Sequence, residues 1–353
     1  MPPIKPVITE YQWHQLVCRA CGETTRAPWP ADVPSGTYGP RVHATVALCT
    51  GAYRLSKRTT AQVMDALFGV PMSVGTISQS EKATTAVVAA PVAEARAYVH
   101  EQSVAHLDET SWRQGDKRAW LWVAVTSLVT VFLVRLSRGG QVARELIGER
   151  FTGILVTDRY SAYNWYPVRW RQLCWAHLLR DFEAIRGRGG DAEEIGSALL
   201  TQAHQMFHWW HRVRAGTLQR ATFRTYMTSV RREVERLLVL GSQCGEAKTA
   251  GTCQALWKQR QALWTFVQVA GVEPTNNAAE RAIRPGVLWR KGSFGTQSEA
   301  GSRFVASMMT VVTTLQQQQR PVLAYLTAAH AAALRGEAAP SLLPTSVQQA
   351  HAA

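Results

Sequence analysis

The pattern of apolar and polar positions changes character three times along the chain. Residues 1–40 are rich in Pro and Gly and keep no sustained period. From Val42 to His100 apolar residues recur at helical spacing. Within that region Lys57-Arg-Thr-Thr-Ala-Gln-Val-Met-Asp-Ala-Leu-Phe-Gly69 predicts a helix closed by glycine, and Ser73 predicts the cap of a second helix after Val70-Pro-Met72. Such a pair is either an ordinary helical hairpin or a helix-turn-helix whose second helix enters the major groove. Residues 103–108, 118–126 and 129–136 read as strands, 141–149 as a helix, 153–157 as a strand, and 168–174 as a further short strand. Helix then follows helix from Trp175 to Val269, and 299–335 is helical with a break at Pro321. The Ala- and Pro-rich stretch after Arg335 predicts a disordered tail.

Three strands, a helix and a parallel strand open a ribonuclease-H-like α/β fold. In that order Asp108 lies on the first strand and Asp158 at the end of the fourth, and the carboxyl ends of strands are where open α/β sheets place their sites. Glu280 follows Asp158 by 122 residues and begins a helix in Asn276-Asn-Ala-Ala-Glu-Arg. The compact fold does not need so much chain, so an all-helical insertion is expected. The expected organisation is a partial zinc-finger-like segment at 1–40, a helical DNA-binding region at 41–100, and a catalytic domain at 101–174 and 271–335. The helical insertion occupies 175–270 and the disordered tail 336–353.

Composition narrows the class. Of 353 residues, 46% are hydrophobic, enough for a sizeable core. Net charge is +14, which fits a polyanionic partner; nucleic acid is the commonest kind, and double-stranded DNA is the partner expected here. The N-terminus lacks the apolar core of a signal peptide. Ala119–Val134 is the most apolar stretch; it is short for a membrane span and reads as two strands around Thr126-Ser127. Six cysteines in this length make no disulfide framework, so a reducing, cytoplasmic compartment is expected. Cys18-x-x-Cys21 supplies half of a Zn2+ site, with His14, His43 and Cys49 nearby at poor spacing for the rest.

The acids carry the candidate chemistry. Strand alternation puts His106, Asp108 and Thr110 on one face and Glu109 on the other. Asp108, Asp158 and Glu280 together suit a carboxylate cage for two hard cations, Mg2+ or Mn2+, which activate an attacking oxygen and stabilise a leaving one. Each acid also has an ordinary reading. Asp108 is then a strand-end carboxylate in water, Asp158 a turn or cap residue, and Glu280 the capping-box partner of Asn277 or an ion pair with Arg284. Arg281, Arg284, Arg290 and Lys291, and likewise Lys57 and Arg58, are either a solvated basic face or phosphate contacts that fix register without reading bases. Cys174-x-x-His177 is half a metal site or a buried thiol beside a satisfied histidine; with His106 it is taken as supporting the site. Trp165, Trp170, Trp175, Trp209 and Trp210 read mainly as core.

Four segments then carry a resemblance. His106-Leu-Asp-Glu-Thr-Ser-Trp112, Val156-Thr-Asp-Arg-Tyr-Ser-Ala-Tyr163, Cys174-Trp-Ala-His-Leu-Leu-Arg-Asp-Phe182 and Asn276-Asn-Ala-Ala-Glu-Arg-Ala-Ile-Arg-Pro285, followed by Arg290-Lys291, resemble in order the motif series of the bacterial insertion-sequence IS66 family of transposases. The resemblance implies a ribonuclease-H-like domain interrupted by a helical insertion, with Asp108, Asp158 and Glu280 as the metal-binding triad of a DDE enzyme. It implies donor-strand cleavage at element ends, then attack of the freed 3′-hydroxyl on target DNA by a homodimer that processes two ends together. It also implies a longer leader ahead of the cysteine pair, and an Asn after the Lys where this chain has Lys291-Gly-Ser. The rival expectations are a nuclease on the same fold that cuts without joining, and a truncated, catalytically inactive DNA-binding remnant.

Overall fold

The computed structural model describes residues 4–30, 33 and 36–344. Two compact units emerge, Ala95–Glu299 and the combination of Met1–Glu94 with Ala300–Ala353.

The second of these is mainly helical. It begins with an exposed two-stranded ribbon, β1 (Gln15–Val17) and β2 (Thr24–Arg26), whose antiparallel register pairs Leu16 with Thr25. Helices α1 (Pro40–Ala47), α2 (Lys57–Phe68) and α3 (Val74–Val87) follow, and the boundary between units falls inside α4 (Ala89–His100). Local chemistry sets α2 and α3 as the sequence predicts. The Ser56 and Ser73 hydroxyls accept the Thr59 and Thr76 N–H groups at 3.0 Å, and Gly69 ends α2 in the left-handed region at φ 63°. Val46, Met64 and Ile77 form the core beneath them.

The sheet unit holds β3 (Val104–Gln114), β4 (Lys117–Val125), β5 (Thr130–Arg135), α5 (Gly140–Ile147), β6 (Ile154–Thr157) and β7 (Arg171–Leu173). Strand order is β5-β4-β3-β6-β7, with β3, β4 and β5 antiparallel and β3, β6 and β7 parallel. The apolar stretch at Ala119–Val134 is thus β4 and most of β5, and among the described residues no helix is long and apolar enough to cross a membrane.

Six helices come next: α6 (Trp175–Arg186), α7 (Gly190–Arg214), α8 (Arg220–Ser242), α9 (Ala247–Lys258), the single turn α10 (Thr265–Gln268) and α11 (Asn277–Ser293). The helices from α6 to α10 are not a separate body. Their buried residues form one continuous cluster with Ile154, Val156 and Leu173 of β6 and β7, because alternation turns that face of the strands toward them.

Two expected boundaries change. Residues 271–335 do not stay together: α11 packs on β3 and β4, whereas α12 (Glu299–Gln317), from Ala300 on, and α13 (Val322–Leu334) fall in the helical unit, where α13 packs on α1 and α3. Packing decides this. The His330 and His43 rings stack 5.1 Å apart, His330 meets the Thr84 hydroxyl at 2.9 Å, and Gly51 leaves room for the Met308 side chain. The expected tail is also packed as far as it is described. Leu342 and Leu343 are buried, Arg320 donates to the Ser341 and Leu342 carbonyls at 3.0 Å, and Tyr325 donates to the Pro340 carbonyl at 2.7 Å. Composition misleads here because a few carbonyls and two leucines suffice to anchor the segment. Residues 345–353 lie outside the described residues.

Candidate active site

The site grows from a mismatch in strand length. β3 runs to Gln114, but its parallel neighbour β6 stops at Thr157, with His106 opposite Val156. From there until a single parallel bridge between Gln114 and Thr296, that edge of β3 has no named strand beside it, and its backbone groups need other partners. The Asp108 carboxylate accepts the Glu109 N–H at 2.9 Å, and the Asn276 side-chain amide donates to the Leu107 carbonyl at 2.7 Å. Continuing the register sets Asp158, the first residue after β6, level with Asp108. Asp158 takes up the turn role as well, accepting the Tyr160 N–H at 2.9 Å.

Glu280 reaches the same region from the first turn of α11. The capping-box reading does not hold. Asn277 lies inside the helix, the flanking residue is Asn276, and neither side chain caps it. The Asn276 side chain is buried and ties three elements together. Besides Leu107, its carbonyl oxygen lies 3.2 Å from His106 Nδ1, and its backbone N–H donates to Cys174 Sγ at 3.1 Å. Glu280 Oε1 is left 3.5 Å from His177 Nδ1 and 4.0 Å from Cys174 Sγ. The pairing with Arg284 is absent among the ion pairs of the described residues.

Electrostatics mark Asp108. Its carboxyl is pushed up to about 7, first by burial, then by the charge of Glu109, with Asp158 and Glu280 adding to it. Its side chain is half-buried, so solvent still reaches it. Acids that hold one another's protons on are relieved by a cation, and an oxygen donor set of this kind suits hard divalent ions. Glu109 points to the opposite face and is not available. Arg138 pairs with it at 2.8 Å, Tyr163 donates its hydroxyl to it, and burial raises its carboxyl. His106 is driven down to about 4 by burial, so it serves as a neutral ring in the Asn276 contact.

The other expected contacts divide. Arg281, Arg284 and Lys291 are exposed and line, with Glu280, an open groove of about 500 Å³. Arg290 donates instead to the Ser111 hydroxyl on β3. Lys57 is committed to buried Glu81 at 2.7 Å, while Arg58 is exposed. Cys18 and Cys21 are exposed at the tip of the β1–β2 ribbon, and among the described residues no third ligand joins them. Trp175 and Trp210 are core, whereas Trp170 remains exposed.

Comparison with known proteins gives the family. The model of the family described as Transposase IS66 family matches residues 35–304, well over half of the chain. The chain belongs to the IS66 transposase family. It is also 30% identical over 227 residues to uncharacterized protein y4qI of Sinorhizobium fredii, an alignment covering 56% of this chain and 40% of that protein. In this IS66-family chain the basic groove of Arg281, Arg284 and Lys291 lies directly beside Glu280.

Two residues that shape the site escape the sequence reading of this transposase. Asn276 was passed over because either member of the Asn276-Asn277 doublet fits a cap. Arg171 reads as one more basic residue, yet it is buried in β7 and donates to the Thr157 hydroxyl at 3.1 Å and the Asp158 carbonyl at 3.2 Å. Burial pulls its guanidinium down to about 10. The only available signal was its place in a short apolar run.

Proposed function

We propose that this chain is a DDE transposase whose metal-binding acids are Asp108, Asp158 and Glu280. The carrying observation is that the strand register sets Asp158 level with a half-buried Asp108, whose carboxyl is raised first by burial and then by Glu109, with the charges of Asp158 and of Glu280 in the first turn of α11 adding to it. Supporting it are the five-stranded mixed sheet, read as ribonuclease-H-like, and the family match. Bound divalent ions, Mg2+ or Mn2+, would supply activation of the attacking oxygen and stabilisation of the leaving one.

The chain's own residues do the rest. Asp108 and Asp158 offer carboxylate oxygens from a rigid strand and a tight turn. Asn276 fixes the start of α11 against β3, and so fixes where Glu280 sits. Arg281, Arg284 and Lys291 contact phosphates beside the acids and hold the strand in register. Arg171 holds the Asp158 turn from beneath. The Ser73-capped α3 serves as the second helix of a helix-turn-helix, with Arg58 presented at its partner. Two chains act together on paired ends.

The test is an in vitro reaction with purified protein, Mg2+ and labelled DNA of the element ends. Nicked and joined products are expected from the wild type, and neither from Asp108→Ala or Glu280→Ala with DNA binding retained. Nicks without joining would make the chain a nuclease. Binding with no cutting under any divalent metal would make it a DNA-binding remnant, and the catalytic reading would fall.

A further inference from the structure

Cys174, His177 and Glu280 bring one thiol, one imidazole and one carboxylate within 4.8 Å of one another, a donor set distinct from the all-oxygen set of Asp108, Asp158 and Glu280. We infer that these three side chains form a Zn2+ site that competes with the hard-cation site for Glu280, so that zinc acts as a brake on the transposase. The braking consequence rests on the function proposed above; the binding itself does not.

Geometry supports the binding. A tetrahedral zinc ion with ordinary bonds to nitrogen, oxygen and sulfur sets its ligand atoms roughly 3.4–3.6 Å apart. Glu280 Oε1 already lies 3.5 Å from His177 Nδ1 and 4.0 Å from Cys174 Sγ. Three protein ligands leave a fourth position for water, as in zinc sites that stay open. His177 Nδ1 is buried, and among the described residues it has no hydrogen-bond partner. It is an imidazole nitrogen facing a carboxylate without bonding to it.

Cys174 stands at the start of α6, and its sulfur already accepts the Asn276 N–H at 3.1 Å. Such outer hydrogen bonds orient metal ligands. Burial raises its thiol above the usual value, so the metal must displace the proton. Binding is a ligand exchange: the S–H bond breaks, its electron pair forms the sulfur–zinc bond, and the proton leaves to buffer. Mg2+ does not take this site, because it disfavours sulfur and keeps its waters. Glu280 belongs to both sets, so zinc held by sulfur and imidazole withdraws that carboxylate from Asp108 and Asp158.

Cobalt(II), the spectroscopic stand-in for zinc, tests this on the full chain carrying Cys18→Ser and Cys21→Ser, which silences the exposed pair. One equivalent of Co2+ should produce thiolate-to-cobalt charge-transfer absorption with tetrahedral d–d bands. Excess Zn2+ should abolish both. Cys174→Ser should lose the charge-transfer absorption, and His177→Ala and Glu280→Gln should each bind at least tenfold more weakly. Asp108→Asn should keep the spectrum. A cooperative melt in chelator confirms that each variant is folded, and Glu280→Gln, on a half-exposed side chain, carries the test if Cys174→Ser is not. No charge-transfer absorption in the folded parent, or the same spectrum after Cys174→Ser, would overturn the site. For the brake, Zn2+ should stop Mg2+-dependent cutting in the parent, reversibly with chelator. His177→Ala, scored against its own zinc-free rate, should need at least tenfold more; an equal zinc requirement would sink the brake. An intact cobalt spectrum in a protein that never cuts DNA would remove the transposase reading and leave the zinc site standing.

Discussion

In the helical unit several buried ionisable groups have met partners. His330 rests on the Thr84 hydroxyl and stacks on His43, which in turn meets Ser80 at 2.9 Å, and buried Glu81 is answered by Lys57. In the sheet unit Asp108 has its own backbone neighbour and otherwise more acids, Glu109, Asp158 and Glu280. The two units therefore handle ionisable groups in opposite ways. One neutralises histidines that are held for packing, and the other gathers carboxylates that repel one another. Arg138 answers Glu109, whereas the charges that act on Asp108 are those of acids; such crowding costs stability, so its persistence points to a ligand that supplies positive charge.

The largest expected effect tests whether the acids are functional. Asp108→Ala or Glu280→Ala should lower strand cleavage about 1000-fold, equivalent to roughly 4 kcal/mol of transition-state stabilisation. Single-turnover rates on labelled end DNA check this, and near-wild-type rates would erase the contrast between the units.

Asn276→Ala comes next. Losing the side chain that orients Glu280 should cost roughly 10- to 100-fold in rate, the usual cost of an outer support to a metal ligand. It should also cost about 2 kcal/mol of stability, because the Leu107 carbonyl loses a buried donor. Asn276→Asp keeps the size but not the donor, and should recover little of either. Cleavage assays and denaturant melts read the two losses.

The pH dependence of stability in chelator separates the units directly. Asp108 carries a folded value of about 7, above its unfolded one, so its contribution is present in acid and disappears as pH rises from about 4 through 7. Asp108→Asn should therefore stabilise the metal-free protein at pH 8, by roughly 1–3 kcal/mol, and leave it unchanged at pH 4. His330 is the reverse. Burial and the neighbouring His43 hold it at about 4, so its contribution is present above about 6.5 and is lost as pH falls through 4. Thermal melts of wild type, Asp108→Asn and a His330→Gln variant across this range should show slopes of opposite sign; a shared slope would contradict the comparison.

The smallest effects sharpen the division among basic residues. Arg281→Ala, Arg284→Ala or Arg58→Ala should each weaken DNA binding across sequences and lower the salt slope by about one unit, with the fold intact. Lys57→Ala should instead cost about 1 kcal/mol of stability and leave the salt slope alone, since it strands Glu81. Fluorescence anisotropy at several salt concentrations distinguishes the two.

Much of the site was legible before the fold. Asp108 and Asp158 each end or interrupt an apolar run that could only be a strand, and alternation alone separated Asp108 from Glu109. Glu280 was legible only as a helix-start acid, because sequence cannot choose between Asn276 and Asn277 as the flanking residue. Charge was a weaker guide. Arg220 and Arg224 of α8, two of the chain's many basic residues, donate to the Val269 and Gln268 carbonyls at 2.7 Å and close α10.

By itself the sequence determined what depends on neighbours along the chain: the serine caps of α2 and α3, the glycine stop at Gly69, the strand periods, and the motif order of an IS66 transposase. Only the tertiary structure decided what depends on distance across it. That includes the early end of β6 that opens a stretch of the β3 edge, the buried Asn276 that bonds to it at Leu107, the sharing of one core by β6, β7 and the helices from α6 to α10, and the return of α13 to α1 and α3. Local hydrogen bonding and alternation are written in spacings of one to four residues. Desolvation and like-charge repulsion arise between residues up to 172 apart in number, Asp108 and Glu280, and exist only once the chain has folded.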